Sequence, residues 1–482
     1  MQRSRIYSWI SFGTVVLLLA VFKFSYHEIW KDEWQVWMMA RDMGWIELLQ
    51  NLYFEGHPAL WYLYVKIWTT LHQIIPGILQ EYWLQTAHLL AAAATFYVLF
   101  LRMRFPLWLK IALAFSYYFF FEYGIVNRGY IFVMLIGFVL AEQIHQYEKN
   151  ALRVAVLIFL LCQVEAFSLF MGGAFTLYVL LRAWEKHSFV ESLKQQSTQT
   201  ILFGGIAGVG VFLLTVVPRS GDRNLQAAFA EPFASDVIQT AFQGNFVNTY
   251  WIGLLPDTNV FGVTILGLGL SAVVLGLLVF LFWKEKKVLF TLLFFHLVYF
   301  LFCSGFYPGG VRQWGMSFVF FVCCLHLLWD HQKQFSIPQY AILGSILLFQ
   351  LLYTYRALEK EVSFPFTNAK QAGLFLKEKV PAEVPIVAIN KFEATPVLAY
   401  AERNFYALPE GEEFSYFKWT EKIYIPPQQE LFLFADFKKV GGIIIISYQA
   451  LDPNRYPNAK LWQTFDDFNL KNENYYIYTF QK

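Results

Sequence analysis

Apolar runs of about twenty residues recur along the first three quarters of the chain, separated by short polar connections, and then they stop. A helix needs about 20 apolar residues to cross the hydrocarbon core of a bilayer. On that measure the first span covers 7–24. Others follow at 84–101, 107–123, 131–146, 152–167, 168–182, 200–217, 260–283, 288–304, 313–330 and 338–356. The expected count is eleven, and two short segments near 152–182 leave twelve or thirteen open. One more apolar stretch, 58–75, mixes Lys66, Thr69, Thr70 and His72 with Trp61, Tyr62, Tyr64 and Trp68. That mixture suits a helix lying in the membrane surface, so 58–75 reads as an exterior interfacial or shallow re-entrant helix.

Beyond 356 the pattern changes. Residues 357–482 carry Pro, Lys, Glu and Asn in soluble-protein proportion. A helix is expected at 369–379 and strands at 385–389, 441–447 and 475–480. The chain is therefore expected to be mainly α: a polytopic transmembrane bundle over 1–356 with exterior juxtamembrane helices in the loop 25–83. A small exterior α/β domain over 357–482 follows it. No repeat of 20–50 residues is evident.

Charge orients this arrangement. Arg102 and Arg104, Lys149 and Arg153, Arg182, Lys186 and Lys194, Lys284, Lys286 and Lys287, and Lys333 fall in alternate connections. By the positive-inside rule those connections face the cytoplasm, and so does the N-terminus, where Arg3 and Arg5 precede a span with no small-residue cleavage site after it. The loops 25–83, 122–130, 218–258 and 305–312 and the C-terminal domain are then periplasmic or extracytoplasmic, in a plasma (inner) membrane. Composition agrees: hydrophobic residues make up 57% and charged residues 15%, against roughly 25% charged in soluble domains. A net charge of +2 points to no nucleic-acid partner. Cys162, Cys303, Cys323 and Cys324 lie within apolar runs, which argues against a disulfide framework and against a Cys-x-x-Cys zinc site.

The candidate chemistry sits at the exterior ends of the spans. The loop after the first span reads Tyr26-His27-Glu28-Ile29-Trp30-Lys31-Asp32-Glu33-Trp34-Gln35-Val36-Trp37. Neighbours on a helix point about 100° apart, so one of Asp32 and Glu33 faces a cavity squarely and the other takes a supporting or capping role. Glu55-Gly56-His57-Pro58 opens the 58–75 helix, with Gly56 suited to an unusual backbone conformation and Pro58 to a first helical turn. Arg128, in Asn127-Arg128-Gly129-Tyr130 after Glu122-Tyr123, and Arg312, in Tyr307-Pro308-Gly309-Gly310-Val311-Arg312, are candidates to meet an anion. Arginine at membrane depth is costly and marks function by default; the alternative is snorkelling to the interface for Arg128 and a loop or lipid-headgroup contact for Arg312. Glu165 falls near an exterior span end and can join them, whereas His296 reads as a packed helix residue. The 218–258 loop adds Arg219, Asp222, Arg223 and Glu231. There is no Walker A loop and no Gly-x-Gly-x-x-Gly after a strand. The substrate of an exterior enzyme is expected to arrive in the membrane, on a lipid.

A first span followed by a short exterior helix bearing Asp32-Glu33 resembles the GT-C superfamily of glycosyltransferases. Glu55-Gly56-His57-Pro58-Ala59-Leu60-Trp61-Tyr62 is similar to the His-Pro-Pro-Leu-Tyr-Tyr-like element of its bacterial branch, and Arg128-Gly129-Tyr130 to an Arg-x-Tyr element. That branch holds the dolichyl-phosphate-mannose protein mannosyltransferase-like enzymes and the lipid A aminoarabinose and lipopolysaccharide galacturonosyl transferases. The likeness covers roughly the first 150 residues and the rest by architecture. Ala59 stands where the second proline is usual, and Asn127-Arg128 where some relatives have an aspartate. The resemblance implies inverting transfer of a sugar from a polyprenyl-phosphate donor to a cell-envelope acceptor: lipid A or lipopolysaccharide, another glycan, a lipid or a protein. In that reaction Asp32 is the base, Glu33 orients it or contacts the acceptor, and Arg128 and Arg312 hold the lipid phosphate. Glu55, His57 and Tyr130 bind sugar or acceptor, and whether a divalent metal ion takes part stays open. Rival readings are a transporter or flippase for lipid-linked glycans and an O-antigen-type glycan polymerase or ligase.

Overall fold

A computed structural model of the chain describes residues 2–75, 77–217, 232–255, 264–331, 335–419 and 424–481. Arg219, Asp222, Arg223, Glu231 and Lys333 lie outside the described residues. The protein is mainly helical, with a small sheet near the C-terminus. In chain order the helices are α1 (Gln2–Ser25), α2 (Lys31–Asp42), α3 (Trp45–Asn51), α4 (Ala59–Ile74), α5 (Gln80–Tyr97), α6 (Leu107–Ala114) and α7 (Tyr130–Gln143). Then come α8 (Ala151–Leu161), α9 (Ser168–Lys186), α10 (Phe189–Lys194), α11 (Gln196–Val216), α12 (Ser235–Asn245), α13 (Val247–Tyr250) and α14 (Ile265–Phe282). Last are α15 (Lys286–Gly305), α16 (Val311–His331), α17 (Ile337–Ser363), α18 (Ala369–Lys379), α19 (Lys391–Ala401) and α20 (Gln428–Phe437).

Among the described residues, seven helices are long and apolar enough to cross a membrane: Arg5–Ser25, Gln80–Arg102, Gln196–Val216, Ile265–Phe282, Lys286–Gly305, Val311–Trp329 and Ile337–Ser363. The apolar segments expected at 107–123, 131–146 and 152–167 are helical too, but more broken, whereas 168–182 lies within the continuous 19-residue α9. Helix α6 stops at Ala114 and gives way to a wider π-turn, Tyr117–Glu122. Helices α7 and α8 have 14 and 11 residues. Such π-segments often mark functional positions.

The chain divides into two compact units. The first comprises Met1–Ala20, Asn51–Trp61 and Thr86–Leu358. Its helices pack closely at small residues, as membrane bundles do. A Cβ added to Gly204 of α11 would lie 2.6 Å from the Ala155 carbonyl oxygen of α8, and one on Gly208 would lie 3.0 Å from Cys162 Cβ. Gln163 Nε2 donates to the Gly208 carbonyl at 2.8 Å. All four cysteines are free and buried.

The second unit comprises Val21–Gln50, Tyr62–Gln85 and Glu359–Lys482. The groups that make 58–75 look interfacial have partners in it. Lys66 Nζ donates to the Met43 carbonyl at 2.6 Å and Thr69 Oγ1 to that of Ala40 at 3.1 Å, which satisfies carbonyls left open at the end of α2. The strands are β1 (Ile386–Ala388), β2 (Phe405–Ala407), β3 (Glu412–Phe414), β4 (Gly442–Ser447), β5 (Ala459–Phe465) and β6 (Tyr475–Gln481). They form one sheet in the order β3-β2-β1-β4-β6-β5. β1 runs parallel to β2 and β4, and the remaining pairs are antiparallel. β4 is apolar on both faces because helices cover both. Ile443 and Ile445 pack with Leu431 and Phe434 of α20 in the core of one face.

Candidate functional site

The seven residues singled out in the sequence divide between the units. Asp32 and Glu33 belong to the second, and Glu55, His57, Arg128, Tyr130 and Arg312 to the first.

In the second unit, α2 starts where Trp30 N–H donates to Glu33 Oε2 at 3.2 Å, a carboxylate closing the first turn from the third helical position. The helix is pinned to the C-terminal residues. Ile29 N–H donates to Tyr400 Oη at 2.8 Å, Tyr400 Oη donates back to the Ile29 carbonyl at 3.0 Å, and Gln35 Nε2 donates to the Phe417 carbonyl at 2.7 Å. Glu33 is buried. Besides closing the helix start, its carboxylate faces His27 Nε2 at 3.2 Å, while His27 Nδ1 meets Glu361 Oε1 at 2.7 Å. Burial pulls the His27 pKa down, but the charges of Glu33 and Glu361 and the hydrogen bonds to both outweigh it, and the pKa rises from 6.5 to about 9. His27 is thus a buried imidazolium held between two carboxylates, and Glu33 is taken up in holding it.

Asp32, one residue earlier, is half-buried and belongs to a different group. Lys31 Nζ pairs with Glu393 at 3.0 Å, lies 3.8 Å from Glu473 and sits over the Phe392 ring at 4.4 Å from its centroid. Glu473 accepts from Thr367 Oγ1 at 2.7 Å. Its burial pushes the carboxyl up to about 7; Thr367 and Lys31 oppose the shift, and the charges of Glu393 and Asp32 reinforce it. Burial also raises the Glu28 carboxyl, against the Thr367 N–H it accepts. Asp32 therefore lies in a field of carboxylates with Lys31 among them. Glu361, Glu393 and Glu473 carried no motif to single them out. They occur in Lys- and Asn-rich stretches that read as solvated.

In the first unit, Gly56 adopts φ +69°, a left-handed conformation that glycine takes without strain. The turn delivers His57, whose Nδ1 lies 2.8 Å from Glu165 Oε2. Leu60 N–H donates to the Gln163 carbonyl at 2.9 Å, tying the start of α4 to the turn that carries Glu165. Glu55 is buried two residues from His57. Opposite them, α7 starts at Gly129-Tyr130. A Cβ on Gly129 would lie 3.0 Å from Trp61 Cβ and 3.5 Å from Glu165 Oε1, so the glycine permits this approach. Tyr130 stacks on Tyr123, with centroids 5.2 Å apart, and accepts from Gln313 Nε2 at 3.0 Å. Tyr123 Oη donates to the Arg312 carbonyl. Arg312 Nε pairs with Glu122 Oε1 at 2.9 Å, and Glu122 Oε2 accepts from Tyr117 at 2.7 Å. The charged side chains acting on Tyr130 are those of Glu165, Arg128 and Arg312. Arg128 is 9% exposed.

No family model matches this chain, and no curated protein matches it.

The geometry leaves two chemically distinct groups. Around Tyr130 two arginines, a histidine–carboxylate pair and several tyrosine hydroxyls can bind an anion and polar hydroxyls. Around Lys31 the balance is acidic, suited to accepting protons and hydrogen bonds. Among the described residues, no three or more His, Cys, Asp or Glu side chains are arranged to hold a metal ion. His296 is packed, as expected: its Nδ1 meets Asn245 Oδ1 at 2.9 Å and its Nε2 meets Tyr250 Oη at 3.0 Å.

Proposed function

We propose that this protein is a membrane glycosyltransferase of GT-C type. It moves a sugar from a polyprenyl-phosphate donor to a cell-envelope acceptor on the exterior face, with about eleven spans, a cytoplasmic N-terminus and an extracytoplasmic C-terminal domain. The observation that carries this reading is the gathering of Arg128, Arg312 and the His57–Glu165 pair about Tyr130. The planar fork of a guanidinium matches phosphate oxygens. In the reaction the acceptor hydroxyl gives its proton to Asp32 and its oxygen attacks the anomeric carbon. The bond from that carbon to the phosphate oxygen breaks, with inversion, and the polyprenyl phosphate leaves with the electron pair. Arg128 and Arg312 stabilise the charge that grows on the phosphate as the bond breaks. Glu33 acts indirectly, by closing the start of the helix that carries Asp32.

The test is to incubate purified protein with a panel of polyprenyl-phosphate sugars and to follow donor consumption and transfer. Asp32→Asn should lower turnover by about 10²–10⁴-fold, the usual contribution of a positioned base, while the protein still folds and inserts. Arg128→Ala should weaken use of the lipid-phosphate donor. Full activity of Asp32→Asn, or no consumption of any such donor by the wild-type protein, would sink the reading.

A further inference from the structure

The first unit has a second polar end. Helix α7 starts at the Tyr130 group and α9 begins three residues after Glu165, whereas the segment that follows α7, the end of α9 and the starts of α8 and α11 surround a cavity of about 630 Å³. Lys149, Lys186, His187 and Ser197 are among its lining residues. Lys186 Nζ pairs with Glu148 at 2.7 Å, so two lysines and His187 face one carboxylate. The cavity also receives the first residues of α11, a 21-residue helix whose start has no side-chain cap, and unsatisfied N–H groups at a helix start favour an anion. Leu152, in the lining, is 71% exposed. The exposed rings of Trp184 and Phe189 stand edge to face 5.5 Å apart, as aromatic residues do in the belt at headgroup level.

We infer that this cavity binds the phosphate headgroup of an anionic membrane lipid, with the acyl chains leaving over Leu152. Free phosphate and a lipid headgroup both fit the lysines, but only a lipid has a use for the exposed Leu152 beside them. The inference is independent of the catalytic reading, since it concerns the opposite ends of α7 and α9.

The experiment is titration of the delipidated full-length protein in detergent with phosphatidylglycerol, phosphatidylcholine or inorganic phosphate, followed by native mass spectrometry and thermal unfolding. Wild type should retain phosphatidylglycerol in preference to phosphatidylcholine. Each lysine removed, by Lys149→Ala or Lys186→Ala, should weaken retention about fivefold, equivalent to about 1 kcal/mol. Glu148→Gln should strengthen it. The unfolding midpoint should rise with phosphatidylglycerol in wild type and less in Lys149→Ala, which separates lost binding from lost folding. Equal retention of the two lipids, unchanged retention in both lysine variants, or binding of inorganic phosphate without lipid preference overturns the inference.

Discussion

Each unit contains a histidine paired with glutamate, and the two pairs differ in a way that separates structure from chemistry. His27 has carboxylates on both ring nitrogens, and none of the three side chains is exposed. Its charge is fully used in holding the start of α2 and the end of α17 together. His57 has one carboxylate, Glu165, and its side chain is 27% exposed. Its partner Glu165 acts, together with Arg128 and Arg312, on Tyr130. A saturated, dry ion pair is a fastener, whereas a partly exposed one can be reached by a substrate.

The comparison breaks first at His27. His27→Ala leaves Glu33 and Glu361 buried without the cation between them, and stranding one side of a buried ion pair costs about 3–5 kcal/mol. The variant should unfold at markedly lower temperature in detergent. The pH dependence has a definite sign. The folded pKa of about 9 lies above the ordinary 6.5, so the contribution is complete below about 6.5 and fades as the pH climbs through 9. Wild type should lose stability over that interval, and the gap to His27→Ala should narrow with it. A constant gap from pH 6 to 10 would show that His27 is not held as an imidazolium.

How much of this was visible in the sequence depends on how local each cause is. The 369–379 helix and the three strands foreseen in the C-terminal domain match α18, β1, β4 and β6 to within one residue at each end, because each is fixed by its own run of apolar positions. Strands β2 and β3 have three residues each, and Glu412 and Glu413 make β3 look like a solvated turn. β2 adds to the edge that β1 offers, and β3 to the edge of β2. That Val21–Gln50 groups with Glu359–Lys482 rests on bonds such as Ile29 to Tyr400, between residues 371 apart, which no local pattern announces. The same divide runs through the sites. Arg128, Tyr130 and Arg312 stood out because polar groups are conspicuous beside apolar helices. Glu393 and Glu473 did not, since a glutamate among lysines and asparagines gives no sign that it will be buried. The capping role foreseen for one of the two adjacent acids fell to Glu33.

A smaller effect sharpens the contrast from the acidic side. Burial holds the Glu473 carboxyl at about 7, above its ordinary 4.5. A raised folded-state pKa contributes stability that is complete below about 4.5 and is lost as the pH rises through 7. Glu473→Gln carries no such titration. Its unfolding temperature relative to wild type should therefore climb between pH 4.5 and 7, by the equivalent of about 1–3 kcal/mol. A flat difference across that range would mean that Glu473 is ionised throughout, held by Lys31.

The smallest change in stability belongs to the pair with the larger chemical role. His57→Gln removes a partly exposed ion pair, and such pairs contribute about 0–1 kcal/mol. The unfolding temperature should hardly move. Transfer from a polyprenyl-phosphate sugar should fall nonetheless, because glutamine cannot reproduce the two ring nitrogens that an imidazole offers to Glu165 on one side and to a ligand on the other. Measured side by side, His27→Ala should give an unstable protein and His57→Gln a stable one with impaired transfer. If His57→Gln instead lowered the unfolding temperature as far as His27→Ala does, both pairs would be fasteners, and the group around Tyr130 would lose its claim to a ligand.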